Sequence, residues 1–320
     1  LSPEEFGVLD TIGVATFFII AVLNCGLDSA TGRFIFIAKK PNEKGEILFT
    51  TLVLRLITII PCIMLVPFSI RISLALFDTA SYSNVVLLSI LSIPLNLLYS
   101  EQEHIFRYYF EPIKFNITSI FKILISVVLG ITLVVYLELG AFGVIIASFS
   151  SLFIFFFVSF LFMNRKKYTY RFRWSWAKKM IAYGYPLIFG TAAIWFYSSS
   201  DRFIILYYKD LFEVGIFSIG AKFTQIFALI NMAVAMSFGP HMINIFENDS
   251  DNEKNITKDF IVSSWKAYLI FSLSIVLFLS VFSKDIILFF LNDNYRNSSI
   301  VIPFLGFAKV LSQTIQMTSP

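Results

Sequence analysis

An all-α, polytopic membrane fold is what this 320-residue sequence predicts. Hydrophobic residues make up 57% of it and charged residues only 14%, against a usual ~25%. Its mean hydropathy is +0.78. The apolar residues fall in windows of about 20, the length that crosses ~30 Å of hydrocarbon at 1.5 Å per residue. No stretch alternates apolar and polar residues over a whole strand length, which argues against a β-barrel. A soluble globule has too little interior for this much apolar side chain. An ordinary cytosolic enzyme, a nucleic-acid binder and a disordered chain are therefore excluded as readings. Two cysteines in apolar surroundings, Cys25 and Cys62, make neither a disulfide scaffold nor a structural zinc site.

Taken in order, nine windows qualify as spans: Val8–Leu27, Ile47–Ile70, Tyr82–Ser100, Ile117–Leu137, Gly140–Met163, Met180–Ser200, Gly215–Phe238, Phe260–Phe282 and Ile300–Met317. The run Asp285–Leu291 is too short to cross and is expected to form an interfacial turn of helix. Pro61, Pro67, Pro94 and Pro186 fall within spans, where each frees a backbone carbonyl and can kink its helix.

Orientation follows from the 25 Lys and Arg residues. Arg71, Arg202, Lys209, Lys284 and Arg296 fall in one set of connections. Arg55, Lys122, Lys222, Lys266 and Lys309 fall inside spans. All the others, the large majority, fall in the opposite set of connections, which is therefore expected to be cytoplasmic. Leu1 is then outside. A chain opening there on Leu1-Ser2-Pro3-Glu4-Glu5, without Met, and closing at Pro320 after an apolar run, is expected to be part of a longer protein. A first helix is expected to be missing from it, and twelve or more helices are expected in the whole.

Asn164 to Lys179 carries seven positive charges and no acid, with Trp174 and Trp176 among them. Basic and aromatic residues together suit the headgroup zone of an anionic leaflet. The stretch reads both as a topology signal and as a linker between two bundles. The expected organisation is an N-terminal helical lobe over 1–163, a basic cytoplasmic linker over 164–179 and a C-terminal lobe over 180–320. A weak repeat supports it: Glu5-Phe6-Gly7-Val8-Leu9 opens the first span and Glu213-Val214-Gly215-Ile216-Phe217 opens the seventh. Parallel repeats of this kind are a transporter habit.

The segments "LSPEEFGVLDTIG", "NCGLDSATGRFI", "YGYPLIFGTAAIWFYSSSDRFIILYY" and "FEVGIFSIGAKF" resemble the polysaccharide-exporting branch of the multidrug/oligosaccharidyl-lipid/polysaccharide (MOP) exporter superfamily. Within that branch the likeness is to O-antigen and capsule repeat-unit flippases, over nearly the whole chain. Its most specific piece is Tyr183-Gly184-Tyr185-Pro186, then Asp201-Arg202, then Glu213-Val214-Gly215 with Lys222. The resemblance implies a flippase moving an undecaprenyl-diphosphate-linked oligosaccharide from the inner to the outer leaflet. It also implies two pseudo-repeated helical bundles around a central cavity, alternating access, and residence in the bacterial cytoplasmic (inner) membrane. Implied partners are the lipid-linked oligosaccharide, membrane lipids and other polysaccharide-assembly membrane proteins.

An ionisable side chain near the bilayer centre costs roughly 2.5–3.5 kcal/mol on insertion scales, so such residues face water, find a partner or snorkel. Lys222, Lys309, Arg55 and Lys122 are candidates to face a cationic cavity, with Arg33 meeting a diphosphate at the cytoplasmic mouth. Lys266 is expected to snorkel. Fixed positive charge offsets the desolvation of phosphates, and Arg holds them bidentately. Asp201 and Arg202 are read as an ion pair that gates or staples one end of the sixth span. Ser198, Ser199, Ser200, Trp195, Phe196 and Tyr197 line a sugar path or, alternatively, pack against neighbouring helices. Neutralising Lys222 or Arg55 with alanine is expected to abolish surface-polysaccharide export at unchanged protein level.

No phosphate-binding loop, HExxH or paired-cysteine site occurs, so no cofactor, metal or ATP engine is expected. His104 and His241 read as interfacial. Paired carboxylates deep in the bundle are expected to be absent, which speaks against acid/base catalysis and against a cation-coupled multidrug exporter of the same superfamily. Short outside loops speak against a polysaccharide polymerase or glycosyltransferase.

Overall fold

The first helix starts where the sequence writes a capping box. Ser2 Oγ accepts from the Glu5 N–H at 3.1 Å, and Glu5 Oε2 accepts from the Ser2 N–H at 3.0 Å. With Pro3 in the first helical position, two otherwise orphaned donors are satisfied and α1 runs Pro3–Asn24. It ends because Cys25 (φ 48) and Gly26 (φ 65) turn left-handed in succession, and α2 restarts over Leu27–Ile37. Pro41 opens α3 (Pro41–Met64). Pro61 lies inside its last turns, Pro67 follows in a tighter turn over Val66–Phe68, and α4 continues over Ser69–Phe77.

The computed structural model describes residues 1–162, 167–227, 229 and 254–318. The further helices are α5 (Ser83–Tyr108), α6 (Pro112–Ile131, prolonged by a π-helical turn over Thr132–Tyr136), α7 (Gly140–Phe162), α8 (Trp174–Tyr208), α9 (Leu211–Phe223), α10 (Lys254–Phe290) and α11 (Val301–Thr318). Among the described residues there is no strand, and seven helical stretches are long and apolar enough to cross a membrane. The chain is a multi-pass, all-α membrane protein. Asn164, Arg165 and Lys166 of the basic stretch, residues 228 and 230–238 of the expected seventh span, and His241 lie outside the described residues. One expectation is corrected: Asp285 to Phe290 form no separate interfacial turn but continue α10, because no proline or glycine interrupts that run.

Contacts divide the chain into two units, Leu1–Leu211 and Phe212–Pro320. In the first, α5 is central and packs on α1, α3, α4 and α7. Its core residues Ile90, Ile93 and Leu97 meet Val8, Ile12 and Ile59. Helix α6 leans mainly on α7, and Thr118 is its one buried residue. Helix α8 lies along α1, α2 and α3. Its closest approach is the crossing of Gly184 with Gly26, where a Cβ on Gly26 would stand 2.6 Å from the Gly184 carbonyl oxygen. Only hydrogen fits there. In the second unit, α10 packs on α11 around Phe227, Tyr268, Val276 and Val310. The two repeat motifs occupy the same place in their helices. Glu5 is the third residue of α1 and Glu213 the third of α9, with Gly7 and Gly215 buried behind them.

The described part of the basic stretch is pinned at one end of the first unit. Lys167 Nζ reaches Glu111 Oε1 at 2.7 Å, and Lys114 Nζ reaches Glu111 Oε2 at 3.3 Å. Arg173 Nε lies 3.1 Å from buried Glu46, and the Arg173 N–H donates to Thr50 Oγ1. Gly45 abuts Thr169 closely enough to exclude a side chain. Burial opposes ionisation of Glu111, but hydrogen bonds and charge from Lys167 and Lys114 outweigh it and hold its carboxyl below the usual carboxylate range.

Two outcomes follow for the fold. Gly184→Ala is expected to cost about 1–3 kcal/mol by overpacking the α2–α8 crossing, read as a lowered melting temperature in detergent. A wild-type melt would show that the crossing is not tight. Because the folded Glu111 carboxyl is depressed, its stabilising contribution is present above the unfolded value of ~4.3 and disappears as pH falls through the folded one. Protease cleavage within 167–173 should accelerate below that pH, and a Glu111→Gln variant should be cut quickly at neutral pH already.

Candidate functional site

Arg55 lies fourteen residues into α3 (Pro41–Met64) and has no exposed surface. A guanidinium cannot lose its charge, so burying it demands anions. The fold brings two. Arg55 Nη2 donates to Asp28 Oδ1 of α2 at 2.6 Å, and Arg55 Nε lies 3.1 Å from Glu101 Oε2 of α5. Glu101 is 4% exposed. Asp28 sits in the first turn of α2, where a carboxylate also suits the helix dipole. His104 Nε2 stands 3.4 Å from Asp28 Oδ2 and its ring stacks on Tyr108, whose hydroxyl donates to the Asp28 carbonyl at 2.8 Å. Beside Gln102, which accepts from Ser159 of α7, the cluster ties four helices. Tyr168 of the linker stands nearby, and burial pushes its phenol up.

This corrects one expectation. Two carboxylates do meet inside the first unit, half-buried Asp28 and buried Glu101 on one guanidinium near the helix ends. They escape a reading by windows because Asp28 follows the first span and Glu101 closes the third, each appearing as an end charge. One signal could have found them: Glu101 and His104 are three apart and so share a helix face. Arg55 itself is engaged on both sides and is not free to reach a cargo in this arrangement. Its replacement by alanine is thus expected to lower protein level as well.

The other candidate residues are placed as follows. Lys122 of α6 sits with its ammonium 4.0 Å from the Tyr99 ring centroid. It lines a cavity of about 280 Å³ between α5, α6 and α7, together with Ser89, Ser92, Asn96, Ser126 and Ser151. Arg33 is exposed on α2, with its guanidinium 4.7 Å from the Tyr183 ring of α8. Arg202 pairs with Asp201 at 2.6 Å and, through Nε, with Asp10 of α1 at 3.1 Å. The pair read from sequence is therefore part of a three-residue bridge from α8 to α1, with Asp10 the member that sequence reasoning missed. Lys222 on α9, Lys266 on α10 and Lys309 on α11 are exposed residues of the second unit. Trp195 is buried, meets the Phe18 ring at a tilt with centroids 4.4 Å apart and donates from Nε1 to the Val14 carbonyl, so it packs α8 on α1. Phe196 and Tyr197 are exposed. Among the described residues no group of three or more His, Cys, Asp and Glu could hold a metal ion.

Residues 1–300 match the model of a family described as polysaccharide biosynthesis protein. No curated protein matches the chain. Among solved structures, one described as the inward-facing conformation of a multidrug resistance MATE family transporter of the MOP superfamily superposes with a TM-score of 0.75. It is 14% identical, and the match covers 99% of this chain and 78% of that one. A MATE in complex with MaL6 gives a TM-score of 0.60 at 13% identity, covering 99% and 83%. The outward-facing conformation of a multidrug resistance MATE family transporter gives 0.51 at 13% identity, covering 98% and 74%. At such identities the likeness is one of fold.

The charge cluster makes a direct prediction. Arg55→Leu alone leaves buried Glu101 and half-buried Asp28 without their cation and should cost about 3–5 kcal/mol, seen as loss of the monodisperse species in fluorescence-detected size exclusion. Adding Asp28→Asn and Glu101→Gln to Arg55→Leu should recover most of it. Equal losses in both variants would show that charge balance does not hold these helices.

Proposed function

Because this chain belongs to the polysaccharide biosynthesis protein family, we propose that it is a flippase moving undecaprenyl-diphosphate-linked oligosaccharide repeat units from the cytoplasmic to the outer leaflet by alternating access. The glycan made from them is a surface polysaccharide such as O-antigen or capsule, and the membrane is the bacterial inner membrane. The observation that carries the reading is the family match over residues 1–300 on a transporter-like helical fold. Intramembrane cations support it. A diphosphate leaves water at a high desolvation cost, and fixed ammonium and guanidinium groups offset that cost by charge-assisted hydrogen bonds. Lys222, Lys309, Lys122 and Arg33 are proposed for this role. Arg55 passes from cargo contact to a tie that positions α2, α3 and α5. The bridge of Arg202 to Asp201 and Asp10 is proposed as a staple that opens and closes during the cycle. Residues 1–163 and 180–320 are proposed as two lobes joined by the basic linker.

A second reading has one observation in its favour. An exporter of cationic drugs carries acids inside its lobe, and buried Glu101 and half-buried Asp28 are acids of that kind. Arg55 occupies both of these acids, so they are not presented to a large cation, which favours the anionic lipid-linked cargo.

Three measurements test the proposal. In a deletion strain, a leaflet-resolved assay should find the lipid-linked oligosaccharide trapped in the inner leaflet. Its presence in the outer leaflet as single, unpolymerised units would point instead to a polymerase. Lys222→Ala and Lys309→Ala should each lower surface glycan roughly tenfold, since a hydrogen bond to a charged group contributes about 1.5–3 kcal/mol, with protein level unchanged. Normal glycan display in both would remove the cationic-cargo role. Arg202→Gln should leave the protein folded but slow export.

A further inference from the structure

The Arg55 cluster carries a charge imbalance that its geometry makes specific. Two carboxylates, Asp28 and Glu101, face one guanidinium. The described groups around them are these. Helix α2 contributes Asp28, α3 contributes Arg55, and α5 contributes Glu101, His104 and Tyr108. Glu103, also on α5, is turned to α6, where it accepts from Ser119 and stands near Lys122. Helix α1 brings only the Cys25 thiol at its end, which donates to Val22 O. Helix α7 offers Ser159, already bonded to Gln102, and the linker offers the Tyr168 phenol. Among the described residues no second Lys or Arg is in direct contact with the pair, so two carboxylates face one permanent cation.

The two carboxylates are not equivalent. Asp28 takes the short bond to Arg55, with His104 on its other oxygen. Glu101 has only the longer ionic contact through Oε2, and both of its oxygens are buried without a hydrogen bond. An ionised oxygen in that position is the costliest arrangement available, whereas a neutral carboxyl leaves Arg55 and Asp28 as a matched pair. We infer that Glu101 is a proton-binding site, holding one exchangeable proton drawn from water. The O–H bond forms on a carboxylate oxygen when the proton arrives from bulk and breaks when it returns. A cavity of about 290 Å³, lined by Glu101, Gln102, Leu98, Phe156, Tyr168 and Tyr170, leads from this residue to the linker end, where Tyr170 is exposed. Loss of the proton places a second full charge beside Asp28, two residues from the Gly26–Gly184 crossing that seats α8. Proton occupancy is thereby linked to how firmly α8 is held. The inference does not depend on the identity of the cargo.

The test compares proton release by the purified full chain and by Glu101→Gln, titrated in detergent between pH 5 and pH 9. The wild type should release about one proton more per molecule, because an ordinary glutamate, at ~4.3, would already be ionised below this window. Infrared difference spectra over the same range should show a protonated-carboxyl band that fades as pH rises in the wild type and is missing in Glu101→Gln. The wild-type band keeps the inference testable if the variant folds poorly. Equal proton release, or no such band at pH 5, would mean that Glu101 is ionised throughout with His104 supplying the balancing charge, and would overturn it.

Discussion

A guanidinium with no exposed surface is the constraint around which the first unit is arranged. Arg55 cannot shed its charge, so α3 can be buried only where carboxylates from other helices come to it. Asp28 and Glu101 meet that demand, and in doing so they fix the rotation of α2 and α5 about their own axes. In a membrane this matters more than in water, since apolar contact alone discriminates poorly between one lipid-facing rotation and another. The apolar packing of Ile90, Ile93 and Leu97 against Val8, Ile12 and Ile59 then fills a geometry that the charges have specified.

Electrostatics of the opposite kind hold the basic stretch. Its positive charge is not merely facing a leaflet, because Lys167 and Arg173 are answered by Glu111 and Glu46. The linker thus runs across the ends of α3 and α5 at a fixed place and delivers the chain into α8. Helix α8 is then seated by contacts of three kinds along its length. These are the glycine crossing at Gly26, the indole of Trp195 on the Val14 carbonyl, and the Arg202 bridge to Asp10. These contacts add to the apolar packing of Ala177 and Met180 among Leu27, Ala30 and Ile35.

Most of the fold was legible in the sequence because hydrocarbon thickness imposes a length on every span. Windows read from hydropathy fall on α1, α3, α5, α6, α7, α8 and α10 with ends displaced by a few residues. Proline signalled the break at Pro67, whereas the turn at Cys25 and Gly26 falls inside the expected first span and was not foreseen. The run after Phe282 was misjudged because hydropathy dips at Ser283, Lys284 and Asp285, whereas helix continuity depends on backbone hydrogen bonds that those residues do not interrupt. The site was legible in half: Arg55, Lys122 and Arg202 stand out as charges in apolar surroundings. Their partners do not, since Asp28, Glu101 and Asp10 lie at or near the ends of spans, where acids are unremarkable.

The sequence by itself determined that the chain spans a membrane as helices, which ends of those helices are basic, and which family it belongs to. These depend on composition, length and local motifs, all written along one dimension. Which acids answer the buried cations was decided only by the tertiary structure. Arg55 meets residues 27 and 46 positions away, and Arg202 meets one 192 positions away. Pairing across such separations is set by the rotation and crossing of packed helices, and no periodicity within a single helix encodes it.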